Sequence, residues 1–110
     1  MDGWYELNKL DNERYHFTLN AKNGEVILSS EIYNSRKAAH DGIRSVQSNA
    51  GNAERYRREI ASNGKFYFAL RAGNGKIIGI SQIYTTEAAR EAGIVSATES
   101  GVSADIRDVA

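Results

Sequence analysis

NGEVILSSEIYNS, residues 23–35, returns 51 residues later as NGKIIGISQIYTT, residues 74–86, and this pair decides the fold. Extended without a gap in both directions, residues 15–50 against 66–101, the match gives thirteen identities in thirty-six positions. Among them are Asn23, Gly24, Ile27, Ser30, Ile32, Tyr33, Ala38, Gly42 and Ile43. A fixed period with residue types kept at matching places marks one supersecondary unit used twice. Two copies are too few for a solenoid, whose ends would leave most of the apolar surface bare. The expectation is two units closing on each other about a pseudo-two-fold axis.

Upstream of each Asn-Gly pair, Tyr15, Phe17 and Leu19 alternate with His16, Thr18 and Asn20, as Phe66, Phe68 and Leu70 alternate with Tyr67, Ala69 and Arg71. Period two with aromatic residues means strand. The Asn-Gly pairs then mark hairpins. A three-residue loop, a type I turn with Gly24 as a left-handed bulge, places Ala21 opposite Glu25 and Leu19 opposite Ile27. The same loop in the second copy sets Leu70 against Ile78 and Phe68 against Ile80. An earlier strand runs from Trp4 to about Lys9, with its counterpart from Arg55 to Ile60, so each unit is a three-stranded meander. Val26, Leu28 and Ile77 fall opposite the core-facing isoleucines, and apolar side chains on both faces predict third strands covered on both sides.

Helices follow. Asn34 or Ser35, and Thr85 or Thr86, offer capping oxygens, with Tyr33 and Tyr84 placed to staple onto Ala38 and Ala89. Ala38, Gly42, Ile43 and Val46, matched by Ala89, Gly93, Ile94 and Ala97, form one apolar face. Gly42 and Gly93 each cost a helix about 1 kcal/mol relative to alanine, which predicts close packing of helix backbone on sheet. The terminal ADIRDVA reads as a further edge strand.

A chain of 110 residues suits a single domain, here two repeats over 1–52 and 53–110. The hydrophobic fraction of 41% and charged fraction of 25% are those of a globular protein. No apolar run reaches bilayer length, and MDGWYELNKL lacks the basic start and apolar stretch of a signal peptide. The expectation is a cytoplasmic protein. Absent cysteines exclude disulfides, thiolate metal sites and cysteine nucleophiles. Fourteen basic residues balance fourteen acidic ones, against a whole-protein field for nucleic acid or anionic lipid. Two units that satisfy each other predict a monomer, with dimerisation open through exposed strand edges.

The doubled pattern of A-x-N-G, then apolar residues, S-x-I-Y and A-x-x-x-G-I resembles the YegP-like family of small bacterial proteins of unknown function, and the resemblance covers almost the whole chain. It implies an α+β fold of β-β-β-α-β units, tandem in one chain or paired as a dimer, with C-terminal strands exchanged between units. On that analogy the segments 53–59 and 104–109 are strands that follow each helix. The family brings no established substrate, cofactor or catalytic residue. A small hydroxyl residue often follows the motif tyrosine in such proteins, as Thr85 does; Asn34 stands there in the first copy.

Gly73, Gly75 and Gly79 do not make a nucleotide-binding loop, since their turn leads into a strand and offers no helix N-terminus to a phosphate. His16 and His40 do not recur between copies. His40 and Asp41 diverge by about 100° on a helix and cannot jointly hold a metal. No serine sits in a nucleophile elbow, and no carboxylate pair stands out for acid-base work. No catalytic residue, metal ligand or cofactor is therefore assigned. Strand parity does send Arg55, Arg57, Tyr67 and Arg71 to the sheet face opposite the core, where guanidinium groups flanking an aromatic ring suit single-stranded nucleic acid. The neutral net charge lacks the footprint of such binders, and ordinary ion pairs on a solvated surface account for the arginines. The leading expectation is a non-catalytic interaction or binding module whose partner is unknown, a protein being one candidate. Nucleic-acid binding through the arginine and tyrosine face is the alternative, followed by an enzyme of unknown type.

Overall fold

The computed structural model describes residues 3–110; residues 1–2, at the head of the stretch read above for a signal peptide, lie outside the described residues. The hairpins organise both halves. Ala21 N donates to Glu25 O at 2.8 Å and Gly24 N to Ala21 O at 2.8 Å, with Gly24 at φ 89°, the left-handed position of the three-residue loop. Asn23 Oδ1 accepts from Glu25 N, and Asn74 Oδ1 from Lys76 N, at 2.9 Å each. The recurring Asn-Gly is thus a turn device in both copies.

The first repeat forms β1 (Trp4–Lys9), β2 (Tyr15–Asn20), β3 (Val26–Ser29) and α1 (Arg36–Asn49). A 3-10 turn (Ala53–Arg55) leads into β4 (Tyr56–Ile60), β5 (Phe66–Arg71), β6 (Ile77–Ser81), α2 (Glu87–Ser100) and β7 (Ile106–Asp108). Residues 53–55, read as strand, instead form that turn, because Asn52 Oδ1 caps it through Glu54 N. The strands make one seven-stranded sheet in the order β4-β5-β6-β3-β2-β1-β7. The halves meet where β3 pairs antiparallel with β6. The chain end crosses over as β7, parallel to β1 of the first repeat, which is the strand exchange the resemblance implied.

The register beyond the turns differs from the sequence reading. Leu19 pairs with Leu28, not Ile27, and Leu70 with Gly79, not Ile78. Ile80 pairs with Ala69 rather than Phe68. In each hairpin one extra residue, Ile27 or Ile78, is inserted before the ladder resumes, so that Ile27 and Leu28 are both buried at 3% and 1% exposure. A second device follows: Phe17 N donates to Ser30 Oγ, and Phe68 N to Ser81 Oγ, at 2.9 Å. The recurring serine stands in for a backbone acceptor where the strand leaves its partner.

Both helices pack on one face of the sheet, and a single core joins Tyr5, Phe17, Leu19, Phe68 and Leu70 to Ile43, Val46, Ile94 and Ala97. Ser35 and Thr86 are the caps, each accepting from the N–H three residues on at 3.0 Å. Tyr33 and Ala38, like Tyr84 and Ala89, each border a shared groove, and the two tyrosines do more than staple. They stack on Phe17 and Phe68, ring centroids 6.1 and 6.2 Å apart, and press against the helical glycines, where a Cβ would overlap the tyrosine hydroxyl. Tyr5 Oη donates to Gly101 O at 2.5 Å and Tyr56 Oη to Ala50 O at 2.7 Å. Each tyrosine thereby ties the end of a helix to the other repeat's first strand.

Among the described residues no helix or strand covers the second sheet face, contrary to expectation. Both helices lie on the first face, and the bulges draw Leu28 into the core while leaving Val26 and Ile77 39% and 42% exposed.

Candidate functional site: the bare face of the sheet

The register aligns this bare face into three rows. In the middle row Arg57, Ala69, Ile80, Ser29, Thr18, Glu6 and Arg107 succeed one another across all seven strands. Along one side lie Glu59, Tyr67, Val26, Asn20 and Trp4. Along the other lie Arg71, Ile77, His16 and Asn8. The bridges Tyr15 to Tyr33 and Phe66 to Tyr84 extend the rows. Because each tyrosine turns to the core side, Ile32 and Ile83 turn to the bare side, beside Ile77 and Val26. The centre of the face is therefore aliphatic, with Ile32, Ile80 and Ile83 exposed by 46% to 52%, and polar groups line both ends. These apolar side chains are neighbours on one face rather than scattered singly over the surface.

Of the four side chains singled out from sequence, three share this face. Arg57, Tyr67 and Arg71 stand on adjacent strands β4 and β5. Arg55 does not join them: it ends the 3-10 turn, and its Nε donates to Asn49 Oδ1 of α1 at 3.1 Å. Arg57 is engaged by Glu59 at 2.5 Å, the ordinary surface pairing weighed above. At the far edge Arg107 stacks over Trp4, 4.1 Å from the ring centroid, and pairs with Asp105 at 3.1 Å. Val26 and Ile77 stand on this face as the sequence predicts, but Ile80, expected opposite Phe68 on the core side, is turned out by the bulge of β6. The available signal was the recurrence of Ile32 and Ile83 in a position with no core to face.

Two grooves on the helix side are related by the repeat. One, of about 330 Å³, lies between the first hairpin and α2 and is lined by Ala21, Asn23, Ile27, Tyr84, Gly93 and Ser96 among others. Its twin, of about 220 Å³, lies between the second hairpin and α1. All ten lining positions correspond under the 51-residue shift, and seven are identical. Burial raises the pKa of the hydroxyls of Tyr33 and Tyr84, which line the two grooves. The differing positions change the rim: Lys76 pairs with Glu31 at 3.7 Å, whereas Gln82 donates to Glu25 at 2.5 Å. His16 lines neither groove. His40 lies 4.0 Å from Asp108, a carboxylate also bound by Arg36.

The family described as Domain of unknown function (DUF1508) matches the chain twice, at residues 11–56 and 61–108. The chain belongs to that family. The UPF0339 protein YegP of Escherichia coli (strain K12) is 50% identical over 108 residues, 98% of each chain. A UPF0339 protein of Shewanella oneidensis is 50% identical over 109 residues, 99% of each. The solution NMR structure of yegP from E. coli, titled a protein of unknown function, superposes with a TM-score of 0.92 over 99% of this chain and 94% of that one. The solution NMR structure of the Shewanella oneidensis UPF0339 protein gives 0.93 over 99% and 92%. This DUF1508 chain thus shares with these relatives the doubled α+β architecture. Among its described residues no helix is long and apolar enough to cross a membrane.

Proposed function

We propose that the chain is a cytoplasmic interaction module, one domain of two repeats over 1–52 and 53–110, which docks a protein partner on the bare face of its sheet. The observation that carries this reading is the aliphatic centre shared by the three rows of that face, rimmed by charged and aromatic side chains. Helices protect one side of the sheet; the other offers apolar area that association removes from water, at roughly 25 cal/mol per Å². The test is co-purification from a bacterial lysate with wild type and with Ile77→Glu/Ile80→Glu, two positions exposed enough to accept charge. A stoichiometric partner held by wild type and lost from the variant supports the reading. A partner held equally by both contradicts it.

Arg57, Tyr67 and Arg71 on the same face favour a second reading, single-stranded nucleic-acid binding by stacking and phosphate pairing. Zero net charge and the Glu59 pairing of Arg57 weigh against it. Nucleic-acid binding requires that labelled single-stranded RNA or DNA bind at low salt, weaken as salt rises, and be lost on Arg57→Ala with Arg71→Ala.

A further inference from the structure

We propose that the bare face takes a second copy of this chain, forming an isologous dimer whose two-fold axis runs along the strands between β3 and β6. The proposal rests on the docking reading above and commits it to one occupant. The repeat sets aliphatic side chains on both sides of that line in the flanking rows, and one pair of opposite charges across it in the middle row. Positions related by 51 residues, Glu6 and Arg57, carry opposite signs in the same row, and Arg57, paired with Glu59 of its own strand, has further donors to share with a facing carboxylate.

Two isologous face-to-face arrangements exist for such a sheet, and the charges choose between them. An axis along the rows would place Arg57 over its own copy and Glu6 over its own copy, which is repulsive at both ends. An axis along the strands lays β4 over β1 and β6 over β3. Arg57 then faces Glu6 of the other copy, twice by symmetry, and in the flanking rows Ile77 faces Ile32 while Val26 faces Ile83. Aliphatic side chains exposed by 39% to 52% thus bury against one another, and aligned sheet packing at about 10 Å is an ordinary architecture.

The face also sets how tight the association is. Six strands at about 4.8 Å spacing span about 29 Å, and three rows of side chains cover about 20 Å along the strands, near 600 Å² for each copy. That falls below the roughly 800 Å² per partner of a standard stable interface, so the dimer is weak and concentration-dependent. The expected monomer concerned two units that satisfy each other, as β3 does with β6; the outer sheet edges, β4 and β7, and the open face are surfaces separate from that seam.

Sedimentation velocity on the purified chain tests this. The mass rises from that of a 12.1 kDa monomer toward twice that value as concentration goes from about 1 to about 500 μM, the range of a sub-standard interface. Ile80→Glu abolishes the rise. Glu6→Arg and Arg57→Glu each weaken association about tenfold by setting like charges face to face, and the double variant restores it to within about threefold of wild type. A chain that stays monomeric throughout, or a double variant no better than either single one, overturns the dimer. The docking reading fails separately, if Ile77→Glu/Ile80→Glu keeps the lysate partner.

Discussion

The two repeats hold the same backbone with different side chains at a few equivalent places, and those places separate what the fold requires from what it tolerates. Tyr33 on Gly42 and Tyr84 on Gly93 are the same contact made twice. Ala39 and Arg90 are not. Both are buried, at 0% and 7% exposure, but Arg90 donates to Glu59 O at 3.1 Å and lies 5.3 Å from the Phe66 ring centroid. In the first repeat Arg36 covers Tyr15 from outside, at 5.8 Å. Identity marks sites where geometry leaves one solution; divergence marks sites where the same area is covered in two ways.

The strongest way to break this comparison is at the glycines. Gly42→Ala and Gly93→Ala each lose about 3 kcal/mol by denaturant unfolding, because the added methyl overlaps a stacked tyrosine. The two losses agree to within about 0.5 kcal/mol, since the atoms the methyl would meet, a tyrosine hydroxyl and a phenylalanine ring, are the same in both repeats. A gain of the roughly 1 kcal/mol that helix propensity alone predicts would show that the tyrosine does not hold the helix there. Next comes Arg90→Ala, which costs about 2 kcal/mol by stranding the Glu59 carbonyl and uncovering Phe66. Arg36→Ala, the outer cover of the first repeat, costs less than about 1 kcal/mol in the same assay.

The tyrosines that tie each helix end to the sheet sharpen the comparison through pH. Tyr5→Phe leaves a buried Gly101 carbonyl without its donor and costs about 1.5 kcal/mol; Tyr56→Phe costs about 1 kcal/mol. Burial, then the neighbouring Tyr56, holds the Tyr5 hydroxyl far above its ordinary value of 10.0. A pKa raised on folding contributes stability that is whole below the unfolded value and is lost as pH rises past it. Unfolding free energy is therefore flat with respect to this group up to about pH 10 and falls above it, and Tyr5→Phe flattens that alkaline limb in a urea series across pH.

The smallest effect is at the first turns. Glu13 takes φ 61° where the second repeat has Gly64 at φ 81°. Glu13→Gly stabilises by about 1 kcal/mol in thermal or denaturant unfolding, because glycine bears the left-handed conformation without strain.

How far the sequence discloses the molecule follows from these particulars. The meanders, the bulged Asn-Gly turns, the helices and the exchanged last strand are carried by period, turn chemistry and resemblance, all local or repeated signals. The extra residue at Ile27 and Ile78 is not, since a bulge is decided by how Ser30 and Ser81 bond across to Phe17 and Phe68. Its consequence is that Leu28 turns into the core and Ile80 out to the bare face, while Ile27, Ile78, Val26 and Ile77 lie on the sides that simple alternation gives them. Arg57, Tyr67 and Arg71 were placed together by simple parity within unbulged strands. Arg55 escaped that rule because the 3-10 turn points it at Asn49. Arg90 reads as a surface helix residue until Glu59 and Phe66 are seen beside it.

The central claim is that a duplicated meander buries one side of its sheet and leaves the other apolar and open. Methyl relaxation by a soluble gadolinium chelate, in solution dilute enough to keep copies apart, measures this directly. The account predicts strong broadening at Ile32, Ile77, Ile80 and Ile83 and protection at Ile27, Ile43 and Ile78. Equal protection of both sets would contradict it.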